Sequence, residues 1–513
     1  MMLNVAFFLD ATAARSPEAA AIVHQGRRIG YARLHRLANQ LANGLTAAGY
    51  GPGDRVAICC NNRAGFLPVY YAVLKTGATA VILSDSISAH DLAYELEDCG
   101  ADALFVYDGT WKIAIGAMAA EVAAAAPACR DVWAIPSDPM AASTIPGCPA
   151  IADLAAGRSS DFTTRGFEAS ETALILYTSG SSGRPKGVEL TQANLIAAMM
   201  LNQVLAEREA TRVRLVLAPM HDICGQIFSL NLPVLAGETM VLVEEFEPQE
   251  AWDLIAEEGV AYMAEMPIYY RWLLDAADGV DAAKVRRSLR LCATGGAALP
   301  LPWSLEFEER FGVPIRPGYG MTEASATISW NCPFDELRTE TVGKAIPGVA
   351  LRIVDQSGTA LPPGRDGQIE VRSPGIMKGY LNNPAATAAA ISDGWLRTND
   401  LGRIDEAGYL LVQGRADGMI SRGYEHIYPA EIVNMLYRHP VVAQAAVKAV
   451  PHDTLGQDAK AFVTLRDGCT IQAQELLSWL GSELPADRAP GLLQVVPSLP
   501  LTRNGKIAYH LLS

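Results

Sequence analysis

Two features that often reveal a function are missing from this sequence: a cysteine pattern typical of metal binding or disulfides, and a long apolar segment. The nine cysteines are scattered along 513 residues, and none stands in a C-x-x-C pair or beside a histidine cluster. No run of about 18 apolar residues occurs, so no membrane span is predicted. The N-terminus lacks the basic segment of a signal peptide. We therefore expect reduced cysteines and a cytoplasmic protein.

The sequence also has fewer basic than acidic residues. The sequence has 41 lysines and arginines against 56 aspartates and glutamates, which gives a formal net charge of −15. A nucleic-acid partner is not expected, because proteins that bind phosphate backbones need a basic surface. Half of the residues are hydrophobic and 19% are charged, which is typical of a globular protein. A chain of this length is too long for one core, so two or more domains are expected.

Short apolar runs alternate with helical patterns up to about residue 340, which favours an α/β architecture with largely parallel sheets. The helical patterns have apolar residues three and four positions apart, as in residues 31–45. Beyond residue 340, short runs between Gly and Pro turns predict a small β-barrel-like unit. The segment after Gly414 predicts a compact α+β domain. The strands predicted in the first part are residues 55–60, 79–84, 103–107, 173–177, 214–219 and 239–244.

Residues 177–188, YTSGSSGRPKGV, directly follow a predicted strand and are rich in glycine and hydroxyl side chains. Such a composition is common in flexible linkers, but this segment lies between a buried strand and a helix that Thr191 can cap. Its glycines allow close backbone approach, and successive N–H groups can form an anion nest. Lys186 adds a charge suited to phosphate, while Pro185 stands where a Walker A loop has glycine. The segment is predicted to be a phosphate loop of another kind.

Four further segments follow this loop along the chain: GYGMTEAS (318–325), WLRTNDLGRID (395–405), GRADGMISRGYEHIYPAEI (414–432) and PLTRNGKI (500–507). Together the five resemble the motifs of the adenylate-forming superfamily of acyl-CoA synthetases, adenylation domains and luciferases, in family order and along the whole chain. The resemblance implies a large N-terminal AMP-binding domain, residues 1–416, with two α/β subdomains and a β-barrel-like subdomain. It also implies a small, mobile α+β C-terminal domain, residues 417–513, that turns on a hinge at Asp417.

The resemblance further implies that ATP and an acid form an acyl-adenylate and pyrophosphate, after which the acyl group passes to a thiol. Lys506 would bridge the substrate carboxylate and the α-phosphate, Thr322 would contact that phosphate, and Glu323 would hold Mg²⁺. Tyr319 would stack on adenine, and Asp400 would accept hydrogen bonds from the ribose. Asn399 stands where the family commonly has glycine, and asparagine tolerates the left-handed conformation. The other nucleotide-binding residues implied are Thr178, Ser179, Gly180, Ser181, Ser182, Gly183, Lys186, Gly296, Ala297, Gly320, Met321 and Arg415.

The acid itself is expected to lie near APMHDICGQ, residues 218–226, and Gly295. His221 matches a family position near the substrate carboxyl group, whereas Asp222 is less expected there. A buried carboxylate needs a partner. A substrate ammonium group is one possibility, and a protein group such as Arg212 or Arg214 is the other.

The thiol acceptor is left open between CoA and the phosphopantetheine of a carrier protein. By resemblance, Gly423 and Tyr424 lie in the loop that borders the thiol tunnel, where the bulky Tyr424 replaces a common glycine. No carrier domain follows before Ser513, so the acceptor is expected to come from outside the chain.

The leading prediction is therefore an AMP-forming acid–thiol ligase that uses ATP and Mg²⁺, with a small carboxylic acid and an external CoA or carrier protein as partners. One alternative is an amino-acid or β-amino-acid adenylation enzyme that loads a stand-alone carrier protein. A further alternative is a luciferase-like oxygenase, which shares the expected fold. A nucleotide-binding pseudoenzyme is disfavoured, because Lys506, Glu323 and Asp400 are all present.

Overall fold

The structure is a computed structural model that describes residues 2–110, 115–178, 184–206, 213–422, 425–452, 454–485, 488–502 and 506–512. The side chains of residues 204–206, 417, 425 and 426 lie outside this description.

The strands follow one another in this order: β1 (Ala20–His24), β2 (Arg27–Gly30), β3 (Arg55–Cys59), β4 (Thr79–Leu83), β5 (Ala103–Tyr107), β6 (Asp131–Ile135), β7 (Thr172–Thr178), β8 (Lys186–Thr191), β9 (Val213–Val216), β10 (Thr239–Leu242), β11 (Tyr262–Glu265), β12 (Leu291–Thr294), β13 (Ile315–Met321), β14 (Ala326–Trp330), β15 (Lys344–Ala345), β16 (Ala350–Val354), β17 (Gly367–Arg372), β18 (Gly379–Tyr380), β19 (Ile391–Ser392), β20 (Trp395–Ile404), β21 (Leu410–Arg415), β22 (Ile420–Arg422), β23 (Glu425–Ile427), β24 (Val442–His452), β25 (Gly456–Leu465) and β26 (Leu492–Val495).

The α-helices are α1 (Ala6–Arg15), α2 (Tyr31–Ala47), α3 (Phe66–Thr76), α4 (Ala89–Cys99), α5 (Gly116–Ala125), α6 (Ile151–Ala155), α7 (Gln192–Ala206), α8 (Leu232–Ala236), α9 (Pro248–Glu258), α10 (Pro267–Asp275), α11 (Ala282–Ser288), α12 (Leu301–Phe311), α13 (Pro384–Ala390), α14 (Pro429–Leu436) and α15 (Ala473–Glu483). A π-helix covers Gly225–Asn231, and short 3₁₀ turns cover Thr322–Ala324, Ala416–Gly418 and Tyr509–Leu511.

Two large sheets form the first part of the chain, as the alternating pattern predicts. One has the strand order β18-β8-β7-β4-β3-β5-β6, and its strands from β7 to β6 are parallel. The other has the order β15-β14-β13-β12-β11-β9-β10-β1-β2, parallel from β13 to β1. The central strands are apolar throughout because helices cover both faces of such sheets. The carboxyl ends of the parallel strands therefore form the edges at which ligand sites are expected.

Two smaller sheets follow along the chain. Strands β16, β17, β19, β20 and β21 form an antiparallel sheet, which corresponds to the predicted barrel-like unit. Strands β22 to β26 pack with α14 and α15 around a separate core, which is the predicted α+β C-terminal domain. These observations confirm the predicted fold class. Of the helices in the described residues, none combines the length and the apolar character that crossing a membrane requires.

The predicted local signals are found at their expected positions. Helix α2 buries Leu34, Leu37, Leu41 and Leu45 along one face, as its apolar spacing requires. Thr191 caps α7 reciprocally: Asn194 N–H donates to Thr191 Oγ1 over 3.1 Å, and Thr191 N–H donates to Asn194 Oδ1 over 2.9 Å. This cap begins α7 directly after β8, so the phosphate-loop segment is followed without a gap by a strand and a helix.

Candidate active site

The predicted phosphate loop joins two neighbouring strands of one sheet. Thr178 ends β7 and pairs with Lys186, the first residue of the antiparallel strand β8. The Thr178 hydroxyl donates to the Lys186 carbonyl over 3.5 Å. Ser179, Gly180, Ser181, Ser182 and Gly183 lie outside the described residues. The segment therefore connects two paired strands of one sheet and is not a connection between domains.

Lys186 and Glu323 come from separate motifs and meet through Tyr380. The Lys186 Nζ atom lies 4.2 Å from the centre of the Tyr380 ring. The Tyr380 hydroxyl donates to Glu323 Oε1 over 2.8 Å. Burial, and secondly Glu323, raise the pKa of Tyr380, so its hydroxyl remains a donor. The sequence did not single out Tyr380, because it lies in a two-residue strand outside the motifs.

The turn that carries Thr322 and Glu323 depends on a glycine. Gly320 is so close to β14 that an added Cβ would lie 1.7 Å from the Ala326 carbonyl oxygen. The chain then forms the 3₁₀ turn Thr322–Ala324 and reverses at Ser325, whose φ is 54°. The Ser325 hydroxyl donates to the Gly375 carbonyl over 2.7 Å. These contacts hold the buried Glu323 carboxylate at the end of β13.

Tyr319, Asp400 and Arg415 form a second group. The Tyr319 hydroxyl donates to Asp400 Oδ2 over 2.5 Å, and Arg415 Nη1 lies 3.7 Å from Asp400 Oδ1. Asp400 pairs directly with Arg415 across β20 and β21. Asn399 has a φ of 61°, so it adopts the left-handed conformation that asparagine was expected to tolerate. Burial, followed by Asp400, raises the pKa of Tyr319.

Lys506 reaches from the C-terminal domain to the glycines after β12. A Cβ added to Gly296, which has a φ of 79°, would lie 3.9 Å from Lys506 Cε. The Lys506 N–H donates to Thr502 Oγ1 over 3.1 Å, and the Thr502 N–H donates to the Lys506 carbonyl over 2.6 Å. Gly295 is half-buried, and Ala297 is exposed. The structure thus brings Lys506 to the predicted nucleotide and substrate glycines.

The predicted acid pocket differs from expectation at Asp222. His221 is buried, with Nδ1 3.6 Å from Asp85 Oδ1 and Nε2 3.9 Å from Asp222 Oδ1. Asp222 was expected to be buried, but its side chain is 34% exposed. The residue lies in the turn before the π-helix, where its carbonyl accepts from the Gln226 N–H over 2.9 Å. The partial exposure of Asp222 therefore removes the need for a charged partner that full burial would impose.

The alternative partners of Asp222 and the remaining predicted residues are placed as follows. Arg214 is buried and its guanidinium pairs with Glu238, while Arg212 lies outside the described residues.

Asp417 lies in the 3₁₀ turn between β21 and β22, the expected position for a hinge. Gly423 and Tyr424, the thiol-tunnel candidates, are also outside the described residues. Asp85 was not singled out from the sequence, because nothing in the segment around it resembles a motif.

Comparison with known proteins agrees with the geometry. The protein-family model described as AMP-binding enzyme matches residues 9–381, and the model of the AMP-binding enzyme C-terminal domain matches residues 431–506. A feruloyl-CoA synthase from an Amycolatopsis species is 34% identical over 497 residues, which are 96% of this chain and 95% of that protein. An oxalate–CoA ligase from Arabidopsis thaliana is 30% identical over 509 residues, 97% of this chain and 96% of that protein.

Solved structures resemble this one along its whole length. ATP-bound MatB from Rhodopseudomonas palustris has a TM-score of 0.90 and 29% identity, covering 100% of this chain and 98% of its own. The o-succinylbenzoate CoA synthetase MenE from Bacillus subtilis, in complex with its acyl-adenylate OSB-AMP, has a TM-score of 0.84 and 26% identity, covering 98% of this chain and 97% of its own. The chain therefore belongs to the AMP-binding enzyme family, within the adenylate-forming superfamily.

Proposed function

We propose that this protein joins a small carboxylic acid to AMP and then transfers the acyl group to the thiol of coenzyme A. The observation that carries the proposal is the meeting of Lys506 with the Gly295–Gly296 turn, close to the Tyr319–Asp400–Arg415 group. This contact supports a role for the Lys506 cation between the bound nucleotide and the acid. The feruloyl-CoA synthase and the oxalate–CoA ligase named above have different acids in their names, and both names give CoA as the acceptor.

The first half-reaction needs charge neutralisation more than it needs covalent chemistry. A carboxylate oxygen of the acid attacks the α-phosphorus of ATP, and the bond to pyrophosphate breaks. Two anions must come together, so positioned cations and hydrogen-bond donors lower the barrier. Lys506 would stabilise the charge that develops between the carboxylate and the α-phosphate. Lys186 would bind the departing phosphates, because it begins the strand after the phosphate loop.

Glu323 is the residue best suited to hold Mg²⁺. It is a buried carboxylate held by Tyr380 next to Lys186. Among the described residues, no three His, Cys, Asp or Glu side chains gather into a ligand set of their own. Mg²⁺ commonly binds through one or two carboxylates together with substrate phosphates and water, which fits a single buried glutamate. When bound, the ion would neutralise phosphate charge.

In the second half-reaction the thiol attacks the acyl carbon, and AMP leaves. Lys506 would no longer be needed at the phosphate, so we expect the C-terminal domain to rotate about Asp417 between the two steps. Lys506 lies at Gly296, and the rings of Trp303 and Tyr437 lie 5.2 Å apart, which supports assigning this arrangement to the first step.

ATP–pyrophosphate exchange tests the proposal. The purified protein would be assayed with ATP, Mg²⁺, labelled pyrophosphate and a panel of fatty, aryl, α-amino and β-amino acids. We expect exchange with at least one acid, and formation of AMP and loss of free thiol when CoA is added. Absence of exchange with every acid would remove the adenylation proposal.

A second candidate acceptor is the phosphopantetheine of a separate carrier protein, loaded with an amino acid. The observation that favours an amino acid as the substrate is the acidic surrounding of His221, where Asp85 and Asp222 lie on either side of the ring. The two functions are separated by the acceptor. Consumption of CoA thiol at a rate matching adenylation supports the first, whereas acylation of a phosphopantetheinylated carrier protein in preference to CoA supports the second.

A further inference from the structure

Three neighbouring parallel strands, β9, β11 and β12, end at the edge of the sheet that carries Gly296 and meets Lys506. At this edge several buried polar atoms have no hydrogen-bond partner among the residues that the structure describes. They are Oε2 of Glu265, Oγ1 of Thr294 and both ring nitrogens of His221. A buried polar atom left unsatisfied destabilises the folded protein. Such a concentration at one edge indicates a place where a ligand supplies the missing partners.

Glu265 is the most unusual of these residues. It is the last residue of β11 and is only 3% exposed. Its Oε1 accepts a hydrogen bond from the Leu217 N–H over 3.1 Å, which fixes the carboxyl group and leaves Oε2 as the unsatisfied atom. Burial raises the pKa of Glu265 to about 8. Its register partner on β12 is Thr294, whose unsatisfied hydroxyl lies on the same face of the sheet.

The surroundings of Glu265 are acidic. Burial is the main cause that raises the pKa of Tyr269, and the carboxyl groups of Glu265, Asp222 and Asp85 raise it further. Carboxyl groups from three separate segments therefore contribute to the raised pKa of one tyrosine. Asp85 and Asp222 also lie on either side of His221, as described above.

Lys506 and the residue that follows Glu265 lie against the same glycine, because a Cβ added to Gly296 would lie 3.7 Å from Met266 Sδ and 3.9 Å from Lys506 Cε. Lys506 and Glu265 both act on the Cys224 thiol, whose pKa burial raises to about 11, with Asp222 and Glu265 raising it and Lys506 lowering it. A substrate whose carboxylate meets Lys506 would therefore bring atoms only a few bonds away next to Glu265.

We propose that Glu265 is a specificity-determining residue of the acid site and binds the ammonium group of a short carboxylic acid that carries an aliphatic amine. The inference rests on the adenylation activity proposed above. An ammonium group has three N–H donors, so it can satisfy both Glu265 Oε2 and Thr294 Oγ1. Its positive charge also favours the ionised form of Glu265, against the burial that raises the pKa of this carboxyl to about 8, and it offsets the charge of Asp85 and Asp222. A hydroxyl group would donate only one hydrogen bond and would offset no charge.

The test compares acids that differ only in this group. β-Alanine, butyrate and 3-hydroxypropionate have nearly the same length and carry an ammonium, methyl or hydroxyl group at the far end. In ATP–pyrophosphate exchange we expect kcat/KM for β-alanine to exceed that for butyrate by about 30-fold or more, the factor of a close charge pair. Glu265→Gln should bring this ratio close to one. Thr294→Val, which is nearly isosteric, should lower it by a smaller factor.

A control variant and a binding measurement distinguish a specific role of Glu265 from a general effect on the enzyme. Glu95→Gln changes another buried glutamate, on α4, and should leave the ratio as in the wild type. Calorimetric binding of the β-alanyl and butyryl sulfamoyl-adenosines should show the same preference without turnover, and the same loss in Glu265→Gln. A wild-type preference for butyrate or 3-hydroxypropionate, or a ratio that Glu265→Gln does not change, overturns this inference alone. Absence of exchange with every acid tested overturns the adenylation proposal itself.

Discussion

The Tyr319 hydroxyl and the Asp400 carboxylate are joined by a hydrogen bond of 2.5 Å across 81 residues of sequence. The bond links the end of β13 in the nine-stranded sheet with β20 in the antiparallel sheet. Arg415 lies at the other carboxylate oxygen, 3.7 Å away. Asp400 is thus held from two sides, and under the proposed function these contacts would orient its carboxylate for the ribose of ATP.

Tyr319→Phe should weaken ATP binding and leave the ring in place. The change removes a hydrogen bond to a charged group, which is worth about 1.5 to 3 kcal/mol, so we expect the KM for ATP in pyrophosphate exchange to rise about tenfold. Tyr409→Phe is the matched control, because the Tyr409 hydroxyl donates to the Glu336 carbonyl away from this site. An unchanged KM for ATP together with a lower kcat would contradict the role of Tyr319 in positioning Asp400.

Lys506→Ala should slow adenylation and spare ATP binding. The lysine is placed to act on charge that develops in the transition state, and losing one such group costs about 100-fold or more in rate. We expect that loss in exchange kcat, with less than about a threefold change in the Kd of a non-hydrolysable ATP analogue. Lys284→Ala, an exposed lysine on α11, is the control. If the Kd of the analogue rose by as much as kcat fell, Lys506 would be a ground-state binding residue instead.

The motifs could be predicted from the sequence because each is local. The backbone of β14 comes so close to residue 320 that only glycine fits, and the turn that begins at Thr322 follows directly. Neighbouring residues in the sequence therefore determine this part of the site. Alternating apolar runs likewise predicted the strands, since β3, β4 and β5 begin at their predicted first residues. Local sequence determines these features, and the structure agrees with them.

Contacts between distant segments could not be predicted in the same way. Tyr380 comes from outside the motifs to hold Glu323, and Glu265 becomes notable only when β11 is placed between β9 and β12. Asp222 was expected to be a buried carboxylate that needs a partner, but its side chain is 34% exposed. Its exposed fraction depends on the turn before the π-helix, which no pattern in the sequence marks.

Tyr380→Phe should raise the Mg²⁺ requirement. The hydroxyl that orients Glu323 Oε1 would be lost, while the ring beside Lys186 would remain. We expect the Mg²⁺ concentration for half-maximal exchange to rise several-fold, and to rise further in Glu323→Gln, which removes the charge itself. Tyr409→Phe again serves as the control. Identical Mg²⁺ titrations for wild type and Glu323→Gln would exclude Glu323 as the metal ligand.

Glu95→Gln should stabilise the protein more as the pH rises. Glu95 is 6% exposed on α4, and burial, followed by Asp91 and Asp98, raises its pKa from 4.5 to about 8. Between these values the unfolded chain releases the proton and the folded chain keeps it. The stability contributed by the neutral carboxyl is present below pH 4.5, and it falls by about 1.4 kcal/mol per pH unit up to the folded pKa. Glutamine does not ionise, so its advantage over glutamate grows across this window.

The measurement is the melting temperature of wild type and Glu95→Gln at pH 5, 6, 7 and 8. The difference between them should be small at pH 5 and largest at pH 8. Glu97→Gln changes an exposed glutamate on the same helix and should track the wild type at every pH. Parallel curves for wild type and Glu95→Gln would mean that Glu95 ionises equally in the folded and unfolded chains, and that α4 tolerates a buried carboxylate beside Asp98.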